Sequence, residues 1–176
     1  GQRLLDASPT TPPRDDYHRA ILAELGMEHV PRALLDDLDR PLAAPHVEPF
    51  PDVRAVLEEL RSRGIRMAIV TDNWGDADSV RRRHDRIGLE GFFEAFAVSS
   101  ELGCNKPDAR MYRTASDALG LEPAECFYVD DDPALVKAAL MLGYKGAAIS
   151  RNGPPCVTDV HVISRLDELL RLIADP

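Results

Sequence analysis

The chain has 176 residues, with 44% hydrophobic and 29% charged side chains and a formal net charge of −9. That length suits one domain with a real core and a small appendage. The acidic balance argues against a nucleic-acid or anionic-membrane surface, and no apolar run approaches the ~20 residues of a membrane span. Cys104, Cys126 and Cys156 are an odd set without CxxC spacing, so they read as free thiols in a reducing, cytoplasmic setting.

Residues 1–14 end in a turn-rich piece, Ala7-Ser8-Pro9-Thr10-Thr11-Pro12-Pro13. Asp15 or Asp16 can cap a helix that runs to Leu25 and stops at Gly26, with Ile21, Leu22 and Leu25 on one face. Pro31 opens a second short helix carrying Leu34, Leu35 and Leu38. Pro41, Pro45, Pro49 and Pro51 then stiffen an extended linker, which sets a boundary. Residues 1–48 read as a helical segment and residues 49–176 as an α/β unit.

The α/β pattern is regular. Helix Val53–Arg63 buries Val53, Val56, Leu57 and Leu60 and ends at Gly64. Strand Ile65–Val70 stops at Thr71-Asp72-Asn73-Trp74-Gly75. A polar helix follows over about Ala77–Ile87. Strand Ala95–Val98 leads to a loop over Glu101–Pro107 and helix Asp108–Leu119. Strand Cys126–Val129, helix Ala134–Leu142, strand Lys145–Ile149 and an amphipathic helix Arg165–Ile173 complete the series. Strands alternating with helices imply a parallel sheet covered on both faces.

Polar groups fall where such sheets bind ligands, at the carboxyl ends of strands. Val129 runs straight into Asp130-Asp131-Asp132-Pro133. Crowded carboxylates repel, and this run suits a hard cation such as Mg²⁺, which takes oxygen ligands. Thr71 follows the first strand, and Lys106 lies in the loop after the second. A hydroxyl with nearby amides, an ammonium and a carboxylate-held cation together suit a phosphoryl group. Alone, Thr71 reads as a helix cap and Lys106 as a solvated side chain. Trp74 reads equally as a pocket wall or a loop aromatic, and the histidines lack metal-ligand spacing.

These residues resemble the motifs of the haloacid dehalogenase-like hydrolase superfamily. Ile69-Val70-Thr71-Asp72-Asn73-Trp74 is similar to its second motif, and Asn105-Lys106-Pro107-Asp108 with Met111-Tyr112 to its third. Val129-Asp130-Asp131-Asp132-Pro133 with Ala138-Ala139 and Gly143 is similar to its fourth. The nearest flavour is the phosphatase domain of soluble epoxide hydrolase. The resemblance implies a Rossmann-like doubly wound parallel sheet with a small helical cap. It implies that Thr71, with Asp72 as a further candidate, binds phosphoryl oxygens. Lys106 would neutralise a phosphoryl-enzyme, and Asp131, helped by Asp130, would hold Mg²⁺. The implied substrate is a small phosphorylated metabolite, with neither nucleic acid nor membrane as partner. Phe50-Pro51-Asp52-Val53 matches the usual return from the cap.

The family's first motif, which supplies the nucleophilic aspartate, has one candidate. In Leu4-Leu5-Asp6-Ala7-Ser8-Pro9-Thr10, Asp6 would be the nucleophile and Ser8 would replace the second aspartate. The other expectation is that Gln2–Ala7 ends a cap helix and the motif lies outside this sequence. The motif's strand belongs between the Ile65–Val70 and Cys126–Val129 strands. An empty slot there would leave backbone groups unpaired, at about 1–3 kcal/mol each. The leading expectation is a Mg²⁺-dependent phosphomonoester hydrolase acting through an aspartyl-phosphate. The alternatives are a dehalogenase-like hydrolase using Asp6 and a non-catalytic binding protein without the nucleophile.

Overall fold

The computed structural model describes residues 14–27, 29–39, 47–153 and 159–173. Asp6, Ser8, Thr10 and Cys156 lie outside the described residues. The chain opens with α1 (Arg14–Glu24) and α2 (Arg32–Asp39). Asp15 and Asp16 fall inside the first turn of α1 rather than before it. Leu22 of α1 and Leu35 of α2 are buried.

The α/β unit contains α3 (Val53–Ser62), β1 (Ala68–Thr71), α4 (Ala77–Arg86), β2 (Ala95–Val98) and α5 (Ser99–Leu102). It continues through α6 (Ala109–Ala118), β3 (Phe127–Asp130), α7 (Pro133–Met141), β4 (Lys145–Ile149), β5 (Val162–Ile163) and α8 (Leu169–Leu172). Short 3₁₀ turns at Pro123–Glu125 and Leu166–Glu168 precede β3 and α8. β1 starts later than the sequence pattern indicates, because Ile65 is exposed and only Ala68 onward pairs. Ser99–Leu102, partly read as loop, is a helical turn closed by Gly103 at φ 62°. The closing helix resolves into a 3₁₀ turn and a single α turn. β5 is too short for any periodicity to announce it.

All strand pairs are parallel, and they form two separate ladders among the described residues: β1 with β2, and β3 with β4 and β5. Helices cover both faces. On one, Val56, Leu57 and Leu60 of α3 pack with Ala147, Ile163 and Leu169, against Phe127 and Val129 of β3. On the other, Met111 and Tyr112 of α6 and Ala139 of α7 pack with Cys104 and Tyr144. Val70 of β1 and Tyr128 of β3 both touch that second cluster, so α6 spans the two ladders.

One edge of β1 and one edge of β3 therefore have no ladder partner among the described residues. Burial follows the same pattern. Every residue of β1 and β3 is only half-buried, whereas Ala97, Val98, Ala147 and Ala148 in the outer strands are fully buried. In a covered parallel sheet the central strands are normally the driest. Here the order is reversed, and β1 and β3 each have one edge without a ladder partner among the described residues.

The linker side of the α/β unit is pinned at Asp52, just before α3. Its Oδ2 accepts from Arg151 Nη1 at 3.0 Å and from the Leu166 amide at 2.7 Å. The Arg151 guanidinium also stacks 4.0 Å above the Phe50 ring.

Candidate functional site at the carboxyl ends of β1 and β3

The site is built from three loops that leave strands at the same end of the fold. Thr71 is the last residue of β1 and is half-buried. Behind it, residues 72–75 are stapled to α5. The Asn73 amide donates to Ser99 Oγ at 2.9 Å, and Ser100 Oγ donates to the Gly75 carbonyl at 2.8 Å. The Ala77 amide donates to Glu101 Oε1 at 3.2 Å. Asn73 Oδ1 accepts from the Gly75 amide, a local turn of the kind Asn favours. Ser99 is 1% exposed and its hydroxyl is spent on this loop. No motif marks Ser99 or Ser100 in the sequence.

Lys106 enters from the loop after α5, where the Lys106–Pro107 peptide is cis. Its backbone amide donates to Asp72 Oδ1 at 3.0 Å, tying that loop to the end of β1. Asp108 then caps α6 by accepting from the Arg110 amide. The Lys106 ammonium lies 2.8 Å from Asp130 Oδ2, with both side chains nearly buried at 12% and 9% exposure.

Asp130 is the most heavily partnered group in the site. Besides Lys106, the Tyr128 hydroxyl donates to Oδ2 at 2.5 Å, and the Asp132 amide donates to Oδ1 at 3.0 Å. Burial alone would raise its carboxyl. The Lys106 and Tyr128 hydrogen bonds, the Asp132 amide and the Lys106 charge outweigh that and hold it below the ordinary carboxylate range. Asp72 moves the other way. Its desolvation exceeds the help from the Lys106 amide and charge, and the Asp130 charge adds to the rise. Because Asp72 still reaches solvent, this is a local electrostatic effect rather than a large stability term. Tyr128 is pushed well above the usual phenol range, first by burial and then by its bond to Asp130, so its hydroxyl remains a donor.

Asp131 and Asp132 are exposed. Asp132 is the N-cap of α7, accepting from the Ala134 amide at 2.8 Å. Asp131 directly follows the end of β3. Among the described residues no cluster of three or more His, Cys, Asp or Glu forms a ready-made metal cage. The donor chemistry still fits a Mg²⁺ ion, which needs one or two carboxylates and keeps several waters. Of the three consecutive aspartates, Asp131 is exposed and is not the α7 cap, whereas Asp130 is committed to protein donors.

Above the β1 loop, Tyr17 of α1 packs against Trp74, with ring centroids 4.7 Å apart. The helical segment thus touches the loop that follows Thr71. The sequence names Trp74 but offers no signal for its partner.

Comparison with known proteins agrees with this architecture. A phosphatase of Mycobacterium tuberculosis is 28% identical over 170 residues, covering 97% of this chain and 76% of that protein. A haloacetate dehalogenase of Moraxella sp. is 31% identical over 107 residues, covering 61% of this chain and 47% of that enzyme. The chain thus spans about half of the dehalogenase's length. A solved HAD phosphatase from Thermococcus onnurineus superposes with a TM-score of 0.62 at 28% identity, covering 70% of this chain and 57% of that one. The family model for haloacid dehalogenase-like hydrolases matches residues 10–149. With the parallel α/β architecture and the strand-end motifs, that match establishes that the chain belongs to the haloacid dehalogenase-like hydrolases.

Proposed function

We propose that this hydrolase is a Mg²⁺-dependent phosphatase acting on a small phosphomonoester through an aspartyl-phosphate. The observation that carries the reading is the meeting of Lys106 with Asp130 at the carboxyl end of β3, with Thr71 at the carboxyl end of β1. A nucleophilic aspartate at the end of a strand between β1 and β3 would lie among these groups. Its carboxylate would attack phosphorus, the leaving alcohol would take a proton, and water would then hydrolyse the acyl phosphate. Thr71 would bind the phosphoryl oxygens, with Asp72 as a further candidate. The Lys106 ammonium would offset the charge that develops on them. Asp131 would hold Mg²⁺, with Asp130 behind it through water, and the cation supplies further charge neutralisation when bound.

A dehalogenase reading is favoured by one observation. Asp130 spends both oxygens on protein donors, which suits a site that uses lysine and no metal. The likeness to the Moraxella haloacetate dehalogenase points the same way. A non-catalytic binding protein would keep Lys106 and Thr71 as an anion cradle.

The deciding experiment assays the full protein against a broad phosphate-ester panel and against chloroacetate, with Mg²⁺ and with a chelator. Chelator-sensitive phosphate release is the expected result. Chloride release insensitive to chelator would replace it with the dehalogenase reading. Vanadate binding without turnover of either class would leave the binding protein.

A further inference from the structure

We propose that Tyr128 is a positioning residue that aims Lys106 by locking Asp130. The proposal rests on the reading above, in which Lys106 serves the reacting centre. In β3 the side chains alternate between faces. Phe127 and Val129 join the cluster under α3, while Tyr128 packs with the cluster under α6. Asp130 falls on the same side as Tyr128, so the phenol runs along the sheet toward the carboxylate and meets Oδ2 at 2.5 Å. The ring is itself held. Tyr112 meets it edge-on at 5.1 Å, and the Tyr112 hydroxyl donates to the Leu135 carbonyl at 3.2 Å.

A lysine on its flexible stem, paired with a carboxylate that can turn, has no defined aim. Here the carboxylate cannot turn. The phenol holds one oxygen and the Asp132 amide holds the other, so the Lys106 ammonium meets a fixed acceptor. A short bond from hydroxyl to carboxylate is among the stronger hydrogen bonds in proteins. The same lock separates two adjacent aspartates. Asp130 is turned inward as the lysine's anchor, while Asp131 is exposed at the strand end. A phenylalanine at position 128 would keep the ring against Tyr112 and remove only the lock.

The test compares the full wild-type chain with Tyr128→Phe by two measurements. One is Mg²⁺-supported turnover of an aryl phosphate. The other is the ¹⁵Nζ ammonium signal of Lys106, assigned by its absence in Lys106→Ala. A nearly buried, ion-paired lysine should give a slowly exchanging signal. In Tyr128→Phe, kcat should fall about tenfold or more, with KM within about twofold, and the ammonium signal should broaden or vanish. A merely structural hydroxyl would lower thermal stability and leave both readouts in place, which would overturn the proposal. If the wild type turns over no phosphate ester, the functional reading fails and the ammonium signal alone decides on Tyr128. Its loss in Tyr128→Phe would support the lock, and its persistence at the wild-type position would overturn it.

Discussion

The Lys106 ammonium and the Asp130 carboxylate, 24 positions apart in sequence, sit 2.8 Å apart with little solvent access. Their pairing joins the loop after α5 to the end of β3. A buried pair of this kind contributes little net stability but is costly to break from one side. The site is therefore held in register by charge as well as by packing.

Two substitutions at this end of the fold separate charge balance from cation binding. Lys106→Ala leaves Asp130 with only neutral donors, so stability should fall by about 3 kcal/mol. Vanadate affinity should fall at least about 100-fold. Asp131→Ala touches an exposed side chain and should leave the urea midpoint unchanged while abolishing Mg²⁺ binding in calorimetry. Unchanged Mg²⁺ binding in that variant would remove Asp131 from the metal site.

Asp52 should give the fold part of its acid sensitivity. Burial raises its carboxyl, but the Arg151 hydrogen bond, the Leu166 amide and the Arg151 charge together hold it below its ordinary value. The folded pKa is thus lower than the unfolded one. The resulting stabilisation is fully present above about pH 5 and is lost as pH falls through the folded value. Stability measured by urea unfolding should therefore climb between about pH 3 and pH 5. Asp52→Asn should flatten that climb. An equally steep climb in the variant would assign the slope to other carboxylates.

Gly146 stands opposite Tyr128 in the β3–β4 ladder. A Cβ there would lie 2.8 Å from the Tyr128 carbonyl oxygen and 3.3 Å from Val136 Cγ1 of α7. The first contact is with backbone, which cannot swing aside. Gly146→Ala should cost about 1–3 kcal/mol, read as a lower urea midpoint at constant m-value. A variant of wild-type stability would mean that β3 and β4 can move apart without penalty.

The sole tryptophan makes the contact between helical segment and site observable. Tyr17→Ala removes the ring packed on Trp74, worth about 0.5–1.5 kcal/mol for an aromatic pair. Trp74 emission should shift to the red and become more accessible to acrylamide. An emission spectrum identical to wild type would show that α1 does not rest on the Trp74 loop in solution.

Local sequence chemistry was enough for most of the architecture. Short apolar runs that end at polar residues, as at Val70 and Val129, and lead to helices capped by Asp76 and Asp132, determine strand, turn and helix without reference to the rest of the chain. Ala95–Val98 and Lys145–Ile149 are read to the residue, and the bounds of β1 and β3 move by only a few positions. Strand-end polar groups were legible too, because Thr71 and Asp130 directly follow apolar runs and Lys106 lies in the loop after the next one. The approach of Lys106 to the Asp130-Asp131 strand end was legible as well, since Pro107 shapes its loop and Asp108 opens the next helix, and the 2.8 Å pair with Asp130 bears it out. The other contacts of these groups were not legible, because no local pattern encodes a distance across a sheet. The alternation of β3 gives Tyr128 a core face, yet only tertiary packing brings its hydroxyl onto Asp130. Ser99 and Ser100 look like loop serines until the β1 loop folds onto them. β5 exists because Ala148 and Ile149 offer it an edge, and two residues carry no periodicity. Sequence chose the elements through short-range sterics and hydrophobic pattern. The tertiary fold chose their partners, because pairing depends on which buried donors and acceptors remain to be satisfied once the layers close.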